Sequence, residues 1–108
     1  MTTSSRIEAL RRMAERNPGD PRPRFGLALE YEKAGRWEDV VHELRTYLDL
    51  TEDEGNAWGR LGAALRRLGR LDEADEAYRT GMEAARRHGH PSMASELESE
   101  LQGGRESD

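Results

Sequence analysis

The chain has 108 residues, 17 of them basic and 22 acidic, for a formal net charge of −5. The length suits one domain and excludes a large two-domain enzyme. Twelve Leu and twelve Ala stand against two Val and one Ile, so the residues that favour strands are almost missing and an all-β or α/β architecture is excluded.

Only 16 residues are Leu, Ile, Val or Phe, a level at which disorder competes with folding. The small net charge tips the balance toward a fold, because the chain does not strongly repel itself. Abundant Ala beside Leu predicts thin, closely packed helices. There is no cysteine, hence no disulfide, thiolate zinc site or cysteine nucleophile. The opening MTTSSRIEALRR is charged from the start and lacks the apolar core of a secretory signal. No apolar run exceeds three residues, far below the ~20 that span a bilayer. A soluble, cytoplasmic protein without membrane association is expected.

Breakers at Asn17 to Pro21, Gly35, Thr51 to Gly55, Gly69 and Gly89 to Pro91 divide the chain into six helical segments. The first, from Ser5 to Arg16, opens on a Ser5-x-x-Glu8 capping box and carries Ile7, Leu10 and Met13 as its stripe. Asp20 before Pro21 reads as the N-cap of the second, whose apolar face is Leu27, Ala28 and Tyr31. The third begins at Trp37 with Val40, Val41, Leu44, Tyr47 and Leu48 at helical spacing. Trp58, Leu61, Ala64, Leu65 and Leu68 mark the fourth; Leu71, Ala74, Ala77, Tyr78 and Met82 mark the fifth. The sixth starts at Pro91 with Met93, Leu97 and Leu101. Residues 1–4 and 102–108 are expected to be disordered.

A shift of 34 residues superimposes Leu27 on Leu61, Gly35 on Gly69, Arg36 on Arg70, Arg45 on Arg79 and Thr46 on Thr80. Each copy reads helix, Gly-Arg turn, helix. With Trp58-x-x-Leu61-Gly62-x-x-Leu65 and Ala74-x-x-x-Tyr78 in the second copy, and Leu27-Ala28-x-x-Tyr31 and Val40-x-x-x-Leu44 in the first, this repeat resembles the tetratricopeptide repeat. The small residues Ala28 and Gly62 would let paired helices approach. Arg24 stands where the family's Trp is usual, and Gly81 where a small helix former is usual. Pro18 matches the family's closing proline, one period before Glu52.

The resemblance implies an all-α, right-handed solenoid of antiparallel helix hairpins, one domain over 5–101. Its parts are a half repeat over 5–17, full repeats over 21–51 and 55–88, and a capping helix over 91–101. It also implies a concave groove lined by the first helix of each hairpin. That places Arg22, Phe25, Leu29 and Lys33, then Asn56, Arg60, Ala63, Arg66 and Arg67, on a peptide-binding face. An apolar spot ringed by Lys33, Arg60, Arg66 and Arg67 suits a protein or peptide partner with acidic residues or a free carboxylate, which Arg grips through two hydrogen bonds.

Plainer roles stand beside these. The arginines can simply solvate a helix face, and Phe25 can be buried by the first helix. His88-Gly89-His90 near Glu96 and Glu98 lacks converging zinc ligands, so no metal site is expected. No nucleophile elbow, phosphate loop or zinc-protease motif occurs, and pairs such as Glu30 with Glu32 and Asp72 with Glu73 read as solvated helix surface. With pI ≈ 5.3 and acids interleaved among the arginines, nucleic acid is not an expected partner. The expected function is a non-catalytic, cofactor-free protein-interaction module, monomeric or a weak homodimer. The alternative is self-association through the half-repeat face, where Ile7, Leu10 and Met13 cannot all point inward.

Overall fold

The computed structural model describes residues 3–106. Six helices make up the all-α fold: α1 (Thr3–Arg16), α2 (Pro21–Lys33), α3 (Trp37–Leu50), α4 (Asn56–Arg67), α5 (Leu71–Arg87) and α6 (Pro91–Glu106). No strand occurs among the described residues. One unit, ending at Glu52, holds α1 to α3; a second, from Asp53, holds α4 to α6.

The turns explain why the repeat keeps its residues. Gly35, Gly69 and Gly89 sit at φ +70°, +75° and +76°, a region closed to most side chains. Each lets the next residue donate its N–H to the carbonyl five positions back: Arg36 to Tyr31 at 3.0 Å, Arg70 to Leu65 at 2.9 Å, His90 to Ala85 at 2.7 Å. This is the glycine-closed helix end that satisfies orphan carbonyls. The repeated arginines then brace the next helix, Arg36 to Asp39 and Arg70 to Glu73, both at 2.8 Å. Thr46 and Thr80 donate their hydroxyls to the carbonyls of His42 and Glu76, each at 3.0 Å.

In the first unit α2 packs against both α1 and α3. Its core is Ile7, Ala14, Leu27, Ala28, Tyr31, Val40, Val41 and Leu44. The α1 stripe differs from the expected one: Met13 is half exposed and Ala14 takes its place in the core. At 100° per residue Ala14 returns to the azimuth of Ile7, whereas Met13 lies about 120° away. Leu10 is half-buried and closes on α2 at Gly26, where an added Cβ would sit 3.1 Å from its methyl carbon.

In the second unit α5 packs against both α4 and α6. Alanines 57, 64, 74, 77, 84, 85 and 94 share the core with Leu61, Leu65, Tyr78, Met82 and Leu97. Gly62 permits the α4–α5 approach, since a Cβ there would lie 2.6 Å from the Tyr78 ring. Gly81 is explained the same way: a Cβ would meet Trp58 at 2.8 Å and Leu97 at 3.1 Å. Leu71, expected inside, is exposed at the first position of α5.

Three boundaries shift. Helix α1 begins at Thr3, so Ser5 lies inside its first turn and the capping box does not sit at Ser5. Helix α6 runs past Leu101 to Glu106, through a stretch expected to be disordered, and Arg66 lies against it at Glu100 and Gly104. The expectation for residues 1, 2, 107 and 108 lies outside the described residues. At the start of α4 the side chain of Asp53 accepts the N–H groups of Gly55 and Ala57, both at 2.9 Å, a cap not read from the sequence.

Candidate peptide-binding surfaces

On α4, positions 56, 60, 63 and 67 fall on one narrow helical stripe, because spacings of four, seven and eleven return within about 40° of the same azimuth. Asn56, Ala63 and Arg67 are exposed there and Arg60 is half-buried. The matching stripe on α2 is Arg22, Leu29 and Lys33, with Leu29 half-buried and the two cations exposed. Opposite each stripe lie the core positions Leu27, Ala28 and Tyr31, and Leu61, Gly62 and Leu65.

Several side chains are already engaged. Arg22 donates to both carboxylate oxygens of Asp20, the closest at 2.8 Å. The Asp20 carboxyl, which also accepts the Arg22 backbone N–H at 3.0 Å, is held below its usual range by these bonds. Lys33 lies 3.4 Å from Glu30. Phe25 is half-buried and stacks at a tilt on Tyr47 of α3, ring centres 5.1 Å apart.

Arg66 stands about 80° round from Asn56 on α4 and shares the azimuth of Gly59. Its guanidinium lies over the Tyr78 ring, 4.4 Å from the centroid. It also donates to the Glu100 carbonyl and pairs with the Glu100 carboxylate at 3.6 Å. Burial pushes the Tyr78 hydroxyl above its usual pKa, with Arg66 acting in the opposite direction.

Three polar constellations escaped the sequence reading. Glu30 is buried, against the expectation of a solvated surface. It faces Arg6 at 3.5 Å as well as Lys33, and helix periodicity alone could not show that α1 would cover it. Arg24 pairs with the buried Glu43 of α3 through Nη1 at 3.1 and 3.2 Å. One period later the same positions hold Trp58 and Ala77, so a polar pair in one hairpin replaces an aromatic and a small residue in the other. This pair floors a cleft of about 240 Å³ whose rim carries Arg11, Glu15, Asp39 and His42.

Thirdly, His90 Nε2 lies 2.6 Å from Glu54 Oε1 and His88 Nδ1 lies 3.8 Å from it. The histidines thus turn to Glu54, not to Glu96 or Glu98. The His90 hydrogen bond holds the Glu54 carboxyl below its usual range, aided by the charges of His90 and His88. Among the described residues no group of three His, Cys, Asp or Glu is arranged to hold a metal ion. No described helix is long and apolar enough to cross a membrane.

No family model matches the chain. Among curated proteins it is similar to the Small glutamine-rich tetratricopeptide repeat-containing protein 2 of Mycosarcoma maydis, 32% identical over 77 residues. The match covers 71% of this chain and 22% of that protein, so the chain spans about a fifth of the length of the relative it matches. Six helices, three of whose connections are glycine-closed turns, together with this similarity make the chain tetratricopeptide-like.

Proposed function

We propose that the chain is a non-catalytic protein-interaction module that binds a peptide segment of a partner. The observation that carries this reading is the α4 stripe of Asn56, Arg60, Ala63 and Arg67, which spends three turns of a short helix outside the hydrophobic core. A stripe with two guanidiniums around one small side chain suits a segment bearing carboxylates, held by paired hydrogen bonds. In the other unit, α2 carries by itself the corresponding stripe of Arg22, Leu29 and Lys33 beside Phe25, an apolar point between cations. The similarity to a tetratricopeptide-repeat-containing protein supports an interaction role. Arg66 belongs to this surface only at its edge, since it is tied to Tyr78 and Glu100.

Self-association is the less favoured reading. The exposed face of α1 carries Arg6, Glu8, Arg11, Arg12, Glu15 and Arg16 around a lone Met13, a poor apolar seal for a dimer.

Panning a random peptide library on the immobilised chain tests the proposal. The expected result is enrichment of acidic peptides with an apolar residue, lost when Arg60→Glu and Arg67→Glu are combined in a chain with unchanged circular dichroism. Enrichment that ignores charge, or survives the reversal, would overturn it.

A further inference from the structure

We infer that α6 is a built-in, displaceable ligand of the α4–α5 hairpin, and that the hairpin takes in its place a partner helix of the same chemistry. The inference rests on the reading of the chain as an interaction module, and names a second class of partner for it.

The two hairpins differ at a second pair of equivalent positions. In the first, Phe25 and Tyr47 fill the space between their helices, ring against ring. In the second the same positions are Gly59 and Gly81, and Leu97 of α6 occupies the space instead. A Cβ on Gly59 would lie 2.7 Å from one Leu97 methyl, and a Cβ on Gly81 3.1 Å from the other. Met93, one turn earlier, seats its sulfur where a Cβ on Gly55 would come within 2.8 Å. Arg66 closes the far end on Glu100. The hairpin therefore reads a helix by two large apolar residues four apart and a carboxylate seven residues after the first.

The occupant packs along α5, but among its described side chains those buried in the core are Ala94 and Leu97. Ser92, Ser95 and Ser99 are exposed, and Gly103 and Gly104 lie in its last turn; glycine weakens a helix relative to alanine. Attachment adds to these contacts: a short tether gives α6 an effective concentration near millimolar. Weakening the tethered copy must raise the apparent affinity for a free one by the same factor.

The test uses the full chain and a fluorescent peptide with the sequence of residues 91–106. Anisotropy is measured with the wild type and with a Met93→Ala, Leu97→Ala variant. We expect binding to the variant to be at least about tenfold tighter, and lost for a control peptide in which Leu97 is Ala. A smaller gain, or equal binding of the control peptide, would overturn the proposal. Loss of the folded circular-dichroism signal in the variant would also overturn it, because a displaceable helix leaves its hairpin standing. As a second measurement on the wild type, α6 amides should exchange faster than those of α5; exchange at the same rate contradicts displacement. Combining Arg60→Glu and Arg67→Glu should leave this binding intact, so failure of the acidic-peptide reading and failure of this one are distinguishable.

Discussion

Arg24→Ala should destabilise the chain far more than Glu43→Ala, although each removes the same ion pair. The reason lies in burial: the Glu43 side chain is 7% exposed and that of Arg24 is 24% exposed. Removing Arg24 strands a carboxylate inside the α2–α3 hairpin, a loss of about 3–5 kcal/mol. Removing Glu43 frees a guanidinium that can bend its long stem toward water, at about 1–2 kcal/mol. At 4–8 °C per kcal/mol for a small domain, the first change lowers the melting midpoint by roughly 12–40 °C and the second by roughly 4–16 °C. The second hairpin supplies the control, because it holds Trp58 and Ala77 at these positions. Combining Arg24→Trp with Glu43→Ala should come within about 1 kcal/mol of wild type, as apolar replacements of buried ion pairs often do. Thermal unfolding followed by circular dichroism at pH 7 decides the matter. Equal losses for the two single variants, or a combined variant less stable than either, would refute the reasoning.

Gly62→Ala places a Cβ 2.6 Å from the buried Tyr78 ring; overpacking of about 1–3 kcal/mol should outweigh the helix-propensity gain of about 1 kcal/mol, and urea denaturation reads the difference. Asp53→Ala removes the side chain that caps α4 at Gly55 and Ala57, for a loss of about 0.5–2 kcal/mol by the same assay. Glu54 is a carboxyl held below its ordinary range by His90. Its contribution is therefore present above the unfolded-state pKa and lost as pH falls through the lower folded value. Glu54→Gln should lower the melting temperature above about pH 4.5, where the ionised carboxylate stabilises the fold, and should converge with wild type as the pH falls below it.

The hairpin architecture was legible in the sequence because glycine and arginine recur where the chain must turn. Gly35 and Gly69 are required by backbone geometry and Arg36 and Arg70 by the first-turn acids they brace, so periodicity and structure coincide. Met13 was misread because a three-residue count drifts off the helical face within two steps, while Ala14 carried too little hydrophobicity to attract notice. Arg24 with Glu43, and Glu54 with His90, join residues 19 and 36 positions apart, and no local pattern links such partners. Leu97 was identified as apolar, but not that two glycines one period after Phe25 and Tyr47 shape its seat. That Asn56, Arg60, Ala63 and Arg67 share one stripe follows from helical spacing alone; what the sequence could not separate was Arg66, whose azimuth commits it to Tyr78 and Glu100.

The central claim, an interaction module working through the α4 stripe, is tested most directly by affinity capture from lysate of the source organism at low and moderate salt. Wild type is compared with the Arg60→Glu, Arg67→Glu variant, leaving Arg66 untouched so that α6 keeps its contact. The account predicts a partner retained by wild type, weakened by salt and absent from the variant. The same partner recovered equally from both would contradict it.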